Sequence, residues 1–341
     1  MKIDTGVMFQ RLSDVPAVAQ RAEATGFDGL WTAETSHDPF LPLTLAAEHT
    51  TRIELGTAIA VAFPRSPLVL AQTAWDLAAQ SNGRFILGLG TQVKAHIERR
   101  FGATWESPGP KLRELILALR AIWDCWQNGT RLNFRGRFYK LTLMTPFFNP
   151  GPIEHPHIPI YIAGVNPYLC RLAGQLGDGF HVHPFHSPRY LRERILPNIE
   201  AGLAESGRTR RDIQLASSAF VVTGSNETTI AQAKRGVREQ IAFYASTPSY
   251  RPVMEVHGWG DVGEQLSMLA ARKRWGEMPA LITDEMLAAF ATIAPPEALA
   301  DAVRSRYDGL LDRVGYYFLG QPAPFDDRQW REIIEVFHAG G

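Results

Sequence analysis

Residues 52–92 read RIELGTAIAVAFPRSPLVLAQTAWDLAAQSNGRFILGLGTQ. Two short apolar runs, Ile53–Val61 and Phe85–Leu89, flank one helical stretch. Pro64 and Pro67 open that stretch and Asn82-Gly83 closes it. Both runs are apolar on both faces, as strands of a fully covered parallel sheet are. A helix of this length between two such strands is a crossover, so the strands are parallel. Each run carries small or polar residues, Gly56-Thr57-Ala58 in the first and Gly88-Leu89-Gly90-Thr91-Gln92 at the end of the second. Ligands of parallel α/β proteins sit at the carboxyl ends of strands. Backbone this poor in side chains suits a flat cofactor.

The same unit recurs outward in both directions. Ile3–Phe9 reads as the first strand, and Ser13 is expected to cap a helix carrying Val15, Val18, Ala19 and Ala22 that stops at Gly26. Phe27–Thr32 is the second strand and Pro42–Thr50 its helix. Lys111–Gln127 is the clearest helix, with Leu112, Leu115, Ile116, Leu119, Ile122, Trp123 and Trp126 on one stripe. A hairpin about Arg135-Gly136 is expected over Leu132–Leu141, followed by a Pro-rich loop, Pro146–Pro159. Ile160–Ala163, Gly179–His183, Ile213–Val222 and Val314–Leu319 are the fifth to eighth strands, and a last helix falls near Asp327–His338. Eight strands alternating with helices predict a (β/α)8 TIM barrel over residues 1–341 as a single domain. A hairpin and loop insertion near 130–158 and a helical insertion near 226–308 interrupt it. A doubly wound open sheet is the competing architecture, and a first-turn GxGxxG is missing.

Composition narrows the function. Lys plus Arg equals Asp plus Glu, 35 each, so no net field draws nucleic acid or membrane. Basic clusters at Arg99-Arg100, Arg208–Arg211 and Arg272–Arg274 read as solvated helix faces. Two cysteines, Cys125 and Cys170, both in expected helices, make no disulfide framework or cysteine metal site. Met1 leads straight into a strand and no apolar run nears ~18 residues, so no signal peptide or membrane span is expected. A cytoplasmic enzyme acting on a small molecule is the default reading.

Three constellations carry chemistry. Ala163-Gly164-Val165-Asn166-Pro167 follows the fifth strand; an Asn N-cap and a Pro at the first helical position open a helix whose free N–H groups suit a phosphate, or make an ordinary capped turn. In Gly179–His183, alternation puts His181 and His183 on one strand face, toward the barrel interior or top. Cofactor hydrogen bonding, acid–base work, metal ligation and a structural pair are all open to them. Trp31–Asp38, at the end of the second strand, gathers Glu34, Asp38, Thr35, Ser36 and His37 where a barrel places catalytic groups, although His37-Asp38 before Pro39 equally makes a turn. Combining His37, Asp38, His181 and His183 would make a hydrolytic metal site; histidine–any–histidine belongs on the first strand of such hydrolases, so no metal is expected.

The order of these motifs resembles the bacterial luciferase-like superfamily of flavin- and deazaflavin-dependent barrels. Its markers here are Gly26-Phe27-Asp28-Gly29-Leu30-Trp31, Leu55-Gly56-Thr57, Asn82-Gly83-Arg84-Phe85, Leu87-Gly88-Leu89-Gly90, Pro159-Ile160-Tyr161-Ile162-Ala163 and Gly177-Asp178-Gly179-Phe180. The branch using coenzyme F420, a deazaflavin, looks closest, with an FMN-dependent monooxygenase as the alternative; a cofactor carrier without turnover is a further one. The resemblance implies hydride transfer to or from a small organic substrate, and a homodimer. It places a strand-three bulge, often with a non-proline cis peptide, at Ala58-Ile59 after Thr57, behind the cofactor ring. It places the ribityl chain at Thr91, Gln92 and His96 and the cofactor phosphate at Gly164, Val165 and Asn166; from their strand-end positions, Ala163 and His181 are further cofactor-binding candidates. Sugar-phosphate dehydrogenases of this branch carry an Asp-His pair after strand two and a Glu after strand four. Here Glu34-Thr35 and Val93 stand there, with His37 two residues on. That acid–base machinery does not carry over, which leaves His37, His183 and Glu34 as the expected acid or base.

Overall fold

A computed structural model describes residues 1–7, 9–319 and 323–339. Its strands are β1 (Lys2–Gly6), β2 (Gly29–Thr32), β3 (Glu54–Thr57), β4 (Ala60–Val61), β5 (Phe85–Gly90), β6 (Phe134–Arg135), β7 (Lys140–Leu141), β8 (Ile160–Gly164), β9 (Gly179–Val182), β10 (Gln214–Val222), β11 (Ala291–Ile293) and β12 (Arg313–Tyr317). Eight of them, β1, β2, β3, β5, β8, β9, β10 and β12, pair in parallel in that order. Pairing of β9 with β10 and of β12 with β1 closes the ring. The expected (β/α)8 TIM barrel is therefore the fold, and closure excludes the doubly wound sheet.

Local chemistry sets the elements. Ser66 accepts a hydrogen bond from Val69 N–H at 3.3 Å and Pro67 occupies the first turn of the helix Pro67–Gln80. Asn82 and Gly83, with φ of 54° and 78°, end it before β5. The helix Pro108–Asn128 buries its stripe, including Leu112, Ile116, Leu119 and Trp126. The hairpin is present as β6 and β7, paired antiparallel.

Three expectations change. Ser13 does not cap the first helix, Val15–Thr25; it lies in a tight turn, Leu12–Asp14, where the Asp14 carboxylate accepts from Arg11 N–H at 3.1 Å. The segment 226–308 is mostly helical, as expected, but a strand, β11, lies inside it just before Pro295-Pro296, paired with the far end of β10. Its three residues are too short to show a period against the helices around them. The first strand ends at Gly6 rather than Phe9; Met8, in the expected extension, lies outside the described residues.

The lower barrel interior is filled by charge. Arg313, fully buried, donates through Nε and Nη2 to Asp4 at 2.9 and 2.8 Å, and also to Glu54, which Lys2 meets at 2.7 Å. Burial alone would lower the Arg313 pKa, but the Asp4 and Glu54 carboxylates outweigh it and raise it. The Arg313 guanidinium lies 5.0 Å from the Trp31 ring, and Trp31, Ile86, Tyr161 and Ala216 form the next layer. Room for the rings comes from missing side chains. A Cβ on Gly56 would stand 2.3 Å from Trp31, and one on Gly179 would stand 2.3 Å from Tyr161.

Candidate functional site at the mouth of the barrel

Strands β3 and β5 part company at residues 57–59. Gly56 is in register with Ile86, whereas Ala60 is in register with Leu89, so one extra residue sits on the β3 side. The Ala58–Ile59 peptide is cis. Thr57 bridges the gap: its hydroxyl donates to Gly88 C=O at 2.7 Å and accepts from Gly88 N–H at 2.9 Å. The Thr57 side chain is therefore part of the sheet, and it is Ala58 and Ile59 that reach the mouth, both half-buried.

A low floor adjoins this break. Gly90, Ala163 and His181 are neighbours in register across β5, β8 and β9. A Cβ on Gly88 would stand 1.7 Å from the Thr57 carbonyl, and one on Gly90 would stand 2.8 Å from the Ile59 side chain. Gly164, next along β8, faces the other way: a Cβ there would stand 2.5 Å from Leu169. A bulky residue at 164 would strike the following helix before it reached any ligand. Asn166 caps that helix, Pro167–Leu176, accepting from Leu169 N–H at 2.9 Å, and Val165 C=O receives the Tyr190 hydroxyl at 3.4 Å. Thr91 Oγ1 donates to the Gln92 carbonyl at 3.2 Å, and Gln92 has φ of 56°, an uncommon left-handed geometry for a residue other than Gly. His96 lies exposed in the short helix Lys94–Arg99.

The two strand-six histidines share a face but not an environment. His181 lies inside the barrel, edge-on to Trp31 at 4.9 Å and tilted to Tyr161 at 5.2 Å. Its Nε2 is buried with no hydrogen-bond partner among the described residues. Burial, reinforced by Arg313, pushes its pKa down to about 3, so the ring is neutral. His183 stacks on Tyr250 at 4.4 Å and meets Tyr244 edge-on at 4.6 Å. Its Nδ1 accepts from Phe185 N–H at 3.1 Å, which leaves any ring proton on Nε2. Burial, with His186 beside it, pushes its pKa down to about 3 as well.

Across the mouth, His37 is exposed and stacks on Phe9 at 5.1 Å. Glu34 Oε2 accepts from Val61 N–H and Arg65 at 2.7 Å each, while Arg65 also holds Asp38 at 2.8 Å. Glu34 thus pins the loop after β2 to the segment after β4, a role the loop sequence gave no sign of because Arg65 lies 31 residues away. No hydrogen bond or ring contact joins His37 to His183 among the described residues, and none of the described His, Cys, Asp and Glu side chains gather in a group of three able to hold a metal ion. No helix among them is long and apolar enough to cross a membrane.

Tyr244, Tyr250, Phe220 and Tyr317 also belong to the mouth and were not singled out from the sequence. Phe220 and Tyr317 are in register at the ends of β10 and β12. Strand alternation was the available signal for them. Tyr244 and Tyr250 flank the helix break near residue 247, where no period exists to reveal them. A surface groove lies elsewhere, at the amino ends of the strands, lined by Met1, Arg210, Asp312 and His338.

The model of the luciferase-like monooxygenase family matches residues 2–313. The chain belongs to that family. It is 48% identical over 314 residues to an uncharacterized protein of Mycobacterium tuberculosis, with 92% of each chain covered. It is 29% identical over 290 residues to a 5,10-methylenetetrahydromethanopterin reductase of Archaeoglobus fulgidus, covering 83% of this chain and 82% of the other. Among solved structures, the coenzyme F420 dependent tetrahydromethanopterin reductase of Methanopyrus kandleri shares its fold, with a TM-score of 0.77 at 22% identity, covering 98% and 96% of the two chains. This luciferase-like chain thus stands among oxidoreductases and monooxygenases, and its relatives include F420-dependent oxidoreductases.

Proposed function

We propose that this luciferase-like protein is a coenzyme F420-dependent oxidoreductase that exchanges hydride with a small organic substrate. The observation that carries the reading is the floor beside the Ala58–Ile59 break. There Gly90 and Ala163 leave a surface of low relief, and the buried His181 Nε2 has no hydrogen-bond partner among the described residues. A flat tricycle fits such a floor, and a polar atom on its edge would meet the His181 nitrogen. When bound, a deazaflavin supplies two-electron exchange at one ring carbon.

The chain's share is to bind, to exclude water and to handle the proton that accompanies the hydride. Ala58, Ile59, Gly90 and Ala163 would support the ring. Thr91, Gln92 and His96 border the end of β5 where a side arm would run, and Gly164, Val165 and Asn166 would meet its phosphate. His183, neutral and with Nδ1 occupied, serves as a hydrogen-bond donor through Nε2. His37, exposed at the rim, is the group able to exchange a proton with solvent, and Glu34 holds its loop through Arg65. The test is a mixture of FMN and coenzyme F420 offered to the purified protein, with the retained chromophore identified by mass after gel filtration. F420 is expected; retention of FMN alone overturns the reading.

A further inference from the structure

The side of the mouth opposite the glycine floor is built from five rings. Phe220 and Tyr317 stack at 5.5 Å. They lie on the same strand face as Ala216, which is packed inside the barrel with Trp31 and Tyr161, so both rings rise from the interior wall. Tyr244 lies over Phe220 at 6.4 Å and edge-on to His183, and Tyr250 stacks on His183. The Tyr244 and Tyr317 hydroxyls are 3.5 Å apart.

This wall carries no charge. Among the described residues no Lys or Arg lies over any of the five rings; those that lie over aromatic rings meet Phe40, Phe101, Phe63, Phe138, Tyr307 and Trp31. The nearby cations are already paired, Arg251 with Glu264 and Arg238 with Asp284. Burial first, then Tyr317 and Tyr250, raises the Tyr244 phenol, so it stays protonated. In a pair of phenols one O–H donates to the other oxygen and the second O–H remains free to donate.

We propose that this wall is the substrate site and that it selects a neutral molecule, an apolar body bearing one carbonyl or hydroxyl oxygen. The oxygen is received by the Tyr244–Tyr317 hydroxyl pair and the body packs on the partly exposed Tyr250 and His183 rings, with the buried Phe220 backing Tyr244 and Tyr317. A phosphate or carboxylate would surrender its hydration here with no cation to replace it, so anionic substrates are rejected. The inference rests on the hydride-transfer reading above for what happens to that oxygen-bearing carbon, but not for the recognition itself.

The experiment uses the full chain, free and after loading with coenzyme F420, and ligand-observed saturation-transfer NMR with cyclohexanone, acetophenone, ethylbenzene and glucose 6-phosphate. F420 binding is followed separately by fluorescence titration. Both ketones are expected to bind and glucose 6-phosphate is not. Tyr244→Phe and Tyr317→Phe each weaken ketone binding about tenfold while ethylbenzene binding and F420 affinity stay within about twofold. A role confined to packing would move ethylbenzene and the ketones alike. Binding of glucose 6-phosphate more tightly than the ketones overturns the proposal, as do ketone affinities unchanged in both variants or ketones that bind neither free nor loaded chain. Ketone binding with no F420 binding overturns the cofactor reading and leaves this inference standing.

Discussion

The two sides of the barrel mouth are built on opposite principles. Along β3, β5 and β8 the mouth is nearly bare backbone, and a single added carbon would collide with a neighbour. On the side of β9, β10 and β12 it is five large rings, two of them, Tyr244 and Tyr250, supplied by the helical excursion. The bare side owes its shape to close approach of strands, so its tolerance for substitution is set by the fold. The aromatic side owes its shape to ring packing, where a hydroxyl can be removed with the ring left in place. One mouth thus separates a surface that is rigid because it is minimal from one that is selective because it is bulky.

The largest effect should come from the bare side. Gly88→Ala sets a carbon 1.7 Å from the Thr57 carbonyl, backbone against backbone. The hydroxyl bridge of Thr57 would have to open, and a loss of about 3 kcal/mol in folding stability is expected from urea unfolding. A midpoint indistinguishable from the parent chain would show that the strand gap at residues 57–59 is loose. Gly90→Ala sharpens the comparison, because its new carbon meets only the end of the Ile59 side chain, which can turn aside. Folding should change by about 1 kcal/mol or less, while F420 affinity falls at least about tenfold. Unchanged affinity in a fluorescence titration would detach the cofactor from this floor.

Acidity probes the aromatic side. His181 and His183 are held near pKa 3 and His186 near 4, all chiefly by burial. The unfolded chain takes up these protons near pH ~6.5 and the folded chain does not, so their stabilisation is complete above that pH and declines as pH falls toward 4. Between pH ~6.5 and ~5 ordinary carboxylates are still ionised, which isolates the histidines in that window. Urea midpoints should drop across it, His257, also lowered by burial, contributing with the other three, and His181→Gln should reduce the slope. An identical slope in the variant would mean that His181 is charged or hydrated in the folded protein. The smallest effect is expected at the helix after β8, where Asn166→Ala removes the cap on Leu169 N–H and costs about 1 kcal/mol.

Much of the bare side was legible because glycine and parallel-strand patterns are local. Gly56, Gly88 and Gly90 stand next to apolar runs, and the Asn166-Pro167 start is a two-residue signal that the structure reproduces at its expected place. The aromatic side was legible only in part. His183 followed from alternation on one strand, but its partners Tyr244 and Tyr250 lie over 60 residues away in a helical excursion, and nothing in their own neighbourhood marks them as lining a barrel. Arg65 and Arg313 were missed for the same reason, since an ion pair is defined by two chain positions and a sequence shows one at a time.

The sequence by itself determined the eight-fold alternation of strand and helix, the parallel sense of the strands and the bare stretches at the ends of β3, β5 and β8. Those properties depend on hydrophobic period, caps and missing side chains within about 20 residues, and each is written in one place. Only the tertiary structure decided that β9 meets β10 and β12 meets β1, that Glu34 is held by Arg65, and that five rings from β9, β10, β12 and a distant helix form one uncharged wall. Closure of the ring brings together side chains whose separation along the chain carries no information about their separation in space.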